Sequence, residues 1–91
     1  MYSVELSQKA DKFLKKLDKN LDERIKAKLM LLAENAVPSD AKFITRENGD
    51  KVFRVRIGDY RALYKLKEKE KIVLVAKIDK RPRVYGRRGG F

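Results

Sequence analysis

The fold is decided by the stretch KVFRVRIGDYRALYKLK, residues 51–67, in which apolar and polar side chains alternate. Alternation with a period of two is the pattern of a β-strand that buries one of its faces. The pattern is interrupted once, at Gly58-Asp59, between residues 51–57 and residues 60–67. The stretch therefore predicts two antiparallel strands joined by a short turn.

Two further alternating segments flank this pair of strands. Residues 42–46 precede it and lead to Asn48-Gly49, a pair that is typical of a tight hairpin turn. Residues 71–79 follow it, beyond the polar turn at residues 68–70. Because the turns are short, consecutive strands are predicted to run antiparallel, as a meander.

The first forty residues have a different period. After a short alternating strand at residues 2–6, apolar side chains recur at helical spacing, and Ser7 is placed to cap the first helix. Asn20 and Glu23 resemble the capping box of a second helix. The two apolar stripes are Ala10, Phe13, Leu14 and Leu17, and then Leu21, Ile25, Leu29 and Leu32. Together these features predict an antiparallel helical hairpin.

The hairpin is the only part of the chain that can cover the apolar face of the meander. Alternation predicts that this face holds Phe53, Val55, Ile57, Tyr60, Ala62, Tyr64, Leu66, Ile72, Leu74, Ala76 and Ile78. The predicted fold class is α+β, with an N-terminal strand and an antiparallel helical hairpin packed on one face of a four-stranded, mainly antiparallel sheet. We expect a single domain over residues 1–85 and a disordered, basic, Gly-rich tail at residues 86–91.

The composition excludes several classes of site. The 91 residues include no His and no Cys, which excludes disulfides, thiol catalysis, Ser-His catalysis and the commonest metal ligands. The carboxylates show no ligand spacing, so we expect neither a metal nor a small-molecule cofactor. The longest apolar runs are five residues, and the first residues lack the features of a secretion signal. We therefore expect a cytoplasmic protein that does not contact a membrane.

The net charge of +11 is concentrated in the second half of the chain. Residues 42–91 hold sixteen basic and six acidic side chains, against eight and seven in residues 1–41. This asymmetry indicates a polyanionic partner, either nucleic acid or an acidic protein, with a generally basic, solvated surface as the alternative. The polar face of the meander is predicted to carry Arg54, Arg56, Arg61, Lys65, Lys67 and Lys77. Guanidinium groups on adjacent strands repel one another and bind phosphate oxygens through paired hydrogen bonds, so this face is a candidate phosphate site.

Two segments resemble the RelE/ParE toxin superfamily. Residues 52–64, VFRVRIGDYRALY, resemble its central hairpin, and residues 80–85, KRPRVY, are similar to its closing basic and aromatic segment. The order of elements over residues 2–85 also agrees. The resemblance implies a toxin of a toxin–antitoxin pair, in the RelE-type branch of mRNA interferases. Such toxins are ribosome-dependent endoribonucleases that cut mRNA in the ribosomal A site and so inhibit translation.

The resemblance also implies roles for particular residues. It implies that Arg61 holds the scissile phosphate, that Arg81 assists the leaving oxygen and that Tyr85 stacks on or orients the nucleotide. Arg54 and Arg56 complete the catalytic set that it implies. Further contacts to RNA are expected from Arg46, Lys51, Lys65, Lys80 and Arg83. The implied reaction is a metal-independent attack of a ribose 2′-hydroxyl on the adjacent phosphate.

The general base stays open at this point. Arginine has a pKa of about 12.5 or above, so Arg54 and Arg56 are poor proton acceptors. Lys51, Lys65, Lys80 or Tyr85 are alternatives, as is a geometry supplied by the ribosome that makes a strong base unnecessary.

Two other functions compete with the nuclease. The first is that of a ParE-like toxin that inhibits DNA gyrase by protein–protein binding, and the second, less favoured, is that of a nuclease-dead homologue that only binds. The expected partners are the ribosome, mRNA and a cognate RelB-like antitoxin whose acidic, amphipathic segment neutralises part of the positive charge.

Overall fold

The computed structural model describes residues 1–80. Its elements are β1 (Ser3–Leu6), α1 (Gln8–Lys15), α2 (Lys19–Met30), a short 3-10 helix (Leu31–Ala33), β2 (Lys42–Glu47), β3 (Asp50–Ile57), β4 (Tyr60–Lys67) and β5 (Ile72–Lys80). The predicted α+β fold, with two helices packed against a mainly antiparallel sheet, is confirmed. The predicted domain boundary at residue 85 and the predicted tail at 86–91 lie outside the described residues.

The sheet has five strands, so the prediction of four is wrong. Their order is β1-β5-β4-β3-β2, with β1 parallel to β5 and every other neighbouring pair antiparallel. The count differs because β1 joins the sheet at its far edge, beside β5, whereas β2 was already predicted to pair with β3 through the Asn48-Gly49 turn. Strand β1 pairs through Ser3–Leu6 with residues 72–75, a long-range pairing that local alternation does not reveal.

Both helices begin at side-chain caps. The Ser7 hydroxyl accepts a hydrogen bond from the Ala10 amide at 3.0 Å, as predicted, and donates one to the Ala76 carbonyl at 2.8 Å. Helix α2 is capped by Asp18, whose Oδ1 accepts a hydrogen bond from the Leu21 amide at 2.9 Å. The prediction that Asn20 caps this helix is wrong. Asp18 precedes Asn20 in the chain, and its carboxylate satisfies a free amide of the first turn. Within residues 1–80 neither helix has the length and apolarity required to cross a membrane.

The two tight turns have the backbone that their sequences predict. Asn48 and Gly49 both have positive φ, 52° and 87°, which suits the right-handed twist of the β2–β3 hairpin. Gly58 has φ of 60°, and the turn it begins brings Ile57 opposite Tyr60. A positive φ is accessible to glycine without the steric strain that a side chain would bring. The Gly58-Asp59 turn therefore fixes the register of β3 against β4.

A bulge in β5 moves three predicted core positions. Leu63 pairs with Lys77 and Tyr64 with Val75, so Ala76 is an extra residue in β5. Past this bulge the faces exchange, and the helix-side core holds Val73, Val75 and Ile78. Ile72, Leu74 and Ala76, predicted to face the helices, are only partly buried and stand outside that core. The prediction is correct for Ile78 because that residue lies beyond the bulge.

Tyr64 is the largest fully buried side chain of the core. Its ring stacks on Phe53 with centroids 5.6 Å apart, and its hydroxyl donates a 2.6 Å hydrogen bond to the Ala36 carbonyl. Burial, and secondarily the negative charge of Asp40, raise the pKa of Tyr64 from 10.0 to about 12. The hydrogen bond ties the segment between the helices and β2 to the centre of the sheet.

We expect Tyr64→Phe to be less stable than the wild type at neutral pH and more stable than the wild type at alkaline pH. At neutral pH the variant loses a buried hydrogen bond, which lowers the free energy of unfolding by about 1 kcal/mol. The wild-type chain holds the tyrosine proton to about pH 12 when folded but releases it near pH 10 when unfolded. Its stability therefore falls by on the order of 2 kcal/mol as the pH rises through this interval, a loss that the variant lacks.

Urea unfolding of both proteins from pH 7 to pH 12 checks this expectation. The difference in unfolding free energy between wild type and variant narrows above pH 10 and then reverses. A difference that stays constant across this range contradicts the assignment.

Candidate nucleic-acid interface

The sheet has one face covered by the helices and a second face turned away from them, called here the outer face. The helix-side core includes Phe53, Val55 and Ile57 from β3, so the alternating residues Arg54 and Arg56 lie on the outer face. Arg61, which pairs directly with Arg56, lies on the same face. The structure therefore brings three of the five predicted catalytic residues together. The other two, Arg81 and Tyr85, lie outside the described residues, as does Arg83.

An open cleft of about 620 Å³ lies at this part of the outer face and is called here the cationic cleft. Its lining residues are Asp40, Lys42, Arg54, Arg56, Gly58 and Arg61. Four of these six carry a positive charge and one carries a negative charge. A concave site with this balance is suited to a ligand with more than one negative charge, such as the phosphates of a nucleic acid.

The strand register sets the geometry of the cleft. Arg56 of β3 stands directly opposite Arg61 of β4, and Arg54 stands directly opposite Lys42 of β2. Side chains that are directly opposite in antiparallel strands have Cβ atoms about 4.5–5.5 Å apart, and like charges at that distance destabilise the sheet. An anion held between the paired cations relieves this repulsion. Their extended side chains can reach the two oxygens of one phosphodiester.

Lys42 is a cleft residue that sequence reasoning missed. The tight turn at Asn48-Gly49 places Thr45 opposite Val52, and an uninterrupted ladder would then place Phe43 opposite Arg54. A bulge at Ile44 shifts the register by one residue, so that Phe43 pairs with Phe53 and Lys42 pairs with Arg54. No sequence signal marked this bulge, because Ile is a common strand residue.

Asp40 is the second missed residue. It precedes β2, lines the cationic cleft and also lies close enough to Tyr64 to raise the pKa of that residue. In the sequence, Pro38-Ser39-Asp40 indicated only the end of the helical unit. The position of Asp40 in the cleft depends on the path of the chain between α2 and β2.

Three lysines of the outer face have acidic partners. Lys65 contacts Glu47 at 2.9 Å, Lys67 contacts Asp50 at 3.2 Å, and Lys77 contacts Asp79 at 3.3 Å. Lys65, a predicted RNA contact, thus shares the face of the cleft but is held in an ion pair. These ion pairs reduce the positive potential over this region.

The other predicted RNA contacts do not lie with the cleft. Arg46 of β2 pairs with Lys51 of β3. Lys51 is three residues from Arg54 in the same strand, so alternation places Lys51, and Arg46 beside it, on the helix side of the sheet. Lys80 pairs with Tyr60 at the end of β5 and also lies on the helix side. Alternation separates these residues from the cleft, although they are close to it in sequence.

We expect Arg56→Gln to stabilise the folded protein at low ionic strength. The substitution removes one of two like charges that stand directly opposite each other, which raises the free energy of unfolding by a few tenths to about 1 kcal/mol. Salt screens the repulsion, so the gain shrinks as sodium chloride rises to about 1 M. Urea unfolding at about 20 mM and about 1 M salt measures both effects.

Lys67→Gln is the matched control for this variant. It removes the same charge from the same face but breaks the 3.2 Å ion pair with Asp50, so its unfolding free energy falls or stays unchanged. An equal gain in both variants would show that only the net charge of the chain matters.

Comparison with known proteins identifies a family that this chain matches. Residues 4–85 match the sequence model of the family described as ParE toxin of type II toxin–antitoxin system, parDE. The chain is 32% identical over 85 residues to the putative toxin RelE1 of Methanocaldococcus jannaschii, covering 92% of this chain and 94% of that protein.

Two solved structures share the fold. The archaeal RelE–RelB complex from Pyrococcus horikoshii contains a chain that superposes with a TM-score of 0.80 at 27% identity, covering 91% of this chain and 98% of that one. The RelBE2 toxin–antitoxin complex of Mycobacterium tuberculosis gives a TM-score of 0.74 at 25% identity, with 88% and 98% covered. In both cases the similarity covers about nine tenths of this chain.

Proposed function

The chain belongs to the ParE toxin family of type II toxin–antitoxin systems, within the RelE/ParE superfamily, and we propose that it is a ribosome-dependent endoribonuclease. In this proposal the protein cleaves mRNA in the ribosomal A site and thereby stops translation in the cytoplasm. The observation that carries the proposal is the direct pairing of Arg56 with Arg61 inside a cleft that Arg54 and Lys42 also line. A toxin that acts only by binding has no requirement for such a cluster.

The proposed reaction is a transesterification within the RNA. The ribose 2′-oxygen forms a bond to the adjacent phosphorus, and the bond from phosphorus to the 5′-oxygen of the next nucleotide breaks. The 2′-hydroxyl releases a proton and the 5′-oxygen gains one, which leaves a 2′,3′-cyclic phosphate and a 5′-hydroxyl. Negative charge grows on the phosphoryl oxygens between these states, and fixed cations stabilise it more than they stabilise the substrate.

Two of the three arginines that line the cationic cleft have positions that suit this role. Arg61 and Arg56 extend from neighbouring strands toward the same space, so they can hold two oxygens of the scissile phosphate at once. Both sit on paired strands of the sheet and not on a loop, which limits how far the guanidinium groups must reorganise during the reaction. We assign Arg81 and Tyr85 the leaving-group and stacking roles that the family resemblance implies.

The positions of the candidate side chains support a proposal for the proton acceptor. Lys51 and Lys80 lie on the helix side of the sheet, and Lys65 is held in an ion pair. Among the residues of 1–80 that line the cationic cleft, Asp40 is the one with a carboxylate. We therefore assign to Asp40 the removal of the proton from the 2′-hydroxyl.

We expect Arg61→Ala and Arg56→Ala each to abolish growth arrest in cells that express the chain. Removing one preorganised donor to a developing oxyanion typically lowers a rate by about 10²–10³. Primer extension on cellular mRNA measures the outcome: wild type gives breaks in phase with codons, and the variants do not. Lys12→Ala, an exposed change on α1, serves as the control and keeps the breaks. Codon-phased breaks that persist in both arginine variants would refute the role of the cleft.

Asp40→Asn tests the assignment of the proton acceptor. A positioned general base typically contributes about 10²–10⁴ to a rate, so single-turnover cleavage on programmed ribosomes falls by a factor in this range. Binding to the ribosome stays unchanged or becomes tighter, because the variant removes the negative charge from the cleft. Glu70→Gln, a change in the exposed β4–β5 turn, is the control for loss of one acidic charge. Unchanged single-turnover cleavage in Asp40→Asn rules out the assignment.

A second candidate function follows from the family match, whose description names ParE. In this alternative the chain inhibits DNA gyrase by protein–protein binding and has no catalytic site of its own. The two proposals differ in what expression does to the cell: supercoiling defects without codon-phased mRNA breaks support gyrase inhibition. The concentration of cations in one cleft favours the nuclease.

The proposed partners follow from charge and from the relatives. The Pyrococcus horikoshii relative was solved in complex with RelB, and we assign a RelB-like antitoxin to this chain as well. A partner with an acidic segment would neutralise part of the +11 charge and block access to the cationic cleft. Free RNA is expected to be cut slowly or not at all, because the ribosome aligns the 2′-hydroxyl with the phosphate.

A further inference from the structure

A second basic cleft lies on the other side of the β3–β4 turn, between that turn and helix α2. It has a volume of about 580 Å³ and is called here the α2 cleft. Its lining residues are Leu21, Arg24, Ile25, Ala27, Lys28, Ile57, Gly58, Asp59, Tyr60 and Lys80. Three of them are basic and one is acidic.

The cations of the α2 cleft differ from the lysines beside them. Within residues 1–80, Arg24, Lys28 and Lys80 are exposed and enter no salt bridge. Lys26, on the same helix but outside the cleft, contacts Asp22 at 3.5 Å. Arg24 and Lys28 are one helical turn apart, about 6 Å along the helix axis, which is comparable to the separation of successive phosphates in an extended strand.

The two basic clefts are continuous around the turn. Gly58 lines both of them, so the α2 cleft begins where the cationic cleft ends. A third and largely apolar cleft lies between α2 and β3. It is lined by Lys28, which also lines the α2 cleft, and by Arg56, which also lines the cationic cleft. A strand whose phosphate is held by Arg56 and Arg61 can therefore continue past Gly58 toward the cations of the α2 cleft.

The α2 cleft also offers a surface for a base. Tyr60 lines it and is half-buried, and its ring is fixed by an edge-on contact with Phe13 at 5.9 Å between centroids. A rigid aromatic ring beside backbone-binding cations is the combination that binds single-stranded nucleic acids without sequence preference. This combination favours RNA over an acidic peptide, which has no base to stack.

We propose that the RNA strand bound in the cationic cleft continues over the β3–β4 turn into the α2 cleft, where Arg24, Lys28 and Lys80 bind the phosphates of flanking nucleotides. The inference rests on the proposed function, because it extends the same strand beyond the phosphate that is cleaved. It adds a binding site for the neighbouring nucleotides and makes affinity depend on the length of the RNA.

The test compares short and long RNAs that cannot be cleaved. Fully 2′-O-methylated oligonucleotides of three and nine nucleotides lack the attacking hydroxyl, and fluorescence anisotropy gives their dissociation constants. We expect the double variant Arg24→Gln/Lys28→Gln to weaken the nine-nucleotide RNA about tenfold and to leave the three-nucleotide RNA unchanged. For the longer RNA, the slope of log affinity against log salt becomes shallower by about 1.4, because the variant neutralises two fewer phosphates.

The matched control is Lys12→Gln/Lys16→Gln, which removes the same charge from exposed positions on and just after α1 and keeps wild-type affinity for both lengths. If the α2 variant weakens the binding of the three- and the nine-nucleotide RNA equally, its effect comes from the loss of general positive charge. If it weakens the binding of neither RNA, the α2 cleft does not bind RNA. Weaker binding of an acidic peptide by this variant, with the nine-nucleotide RNA unaffected, would make the cleft a peptide site. Each of these three results overturns the proposal.

The same assay separates this inference from the proposed function. The three-nucleotide RNA depends on the cationic cleft alone, so Arg56→Ala weakens it if that cleft binds RNA. If Arg56→Ala has no effect on the short RNA, the proposed function fails. If it has an effect and the α2 variant does not alter the length dependence, only the α2 inference fails.

Discussion

The register between β3 and β4 is the constraint on which the rest of the structure depends. Because side chains alternate between faces, a slip of one residue would turn Ile57 and Tyr60 outward and bury arginines in their place. The Gly58-Asp59 turn prevents this slip by fixing Ile57 opposite Tyr60. The same pairing sets Arg56 opposite Arg61. One turn therefore specifies the apolar core on one face and the cationic cleft on the other.

Positive charge is arranged differently in two regions of the outer face. Toward β5 and the far end of β2, lysines contact aspartate or glutamate within 2.9–3.3 Å. In the cationic cleft, cations from three strands converge around a single lining carboxylate. A small domain has little stability to spare for repulsion of this kind, so its retention at this place is consistent with a ligand there. This convergence of cations in one cleft supports a binding role more strongly than the net charge does.

The sequence predicted those features that depend on local pattern. The alternation of residues 51–67, the Asn48-Gly49 turn and the Ser7 cap each involve residues that are close in the chain, and each prediction is confirmed. The placement of Arg54, Arg56 and Arg61 on one face followed from the same alternation. These predictions held because the backbone geometry of a strand or a tight turn is fixed within a few residues.

Features that depend on a change of register could not be predicted in this way. The bulge at Ala76 exchanged the faces of β5, and the bulge at Ile44 brought Lys42 opposite Arg54. Neither residue carries a signal that marks a bulge, and a single extra residue reverses the faces on one side of it relative to the other. The N-terminal strand was predicted, but its place in the sheet was not, because the pairing of β1 with β5 joins residues that are far apart in the chain.

That distant pairing has a consequence for how the protein is made. The hydrogen bond from Ser7 to Ala76 spans 69 positions, and β1 has no strand beside it until β5 has been synthesised. Contacts of such high sequence separation form late and slow the folding of a small domain. The nascent chain therefore remains without its completed sheet, and β1 without its neighbouring strand, until the residues of β5 have left the ribosome.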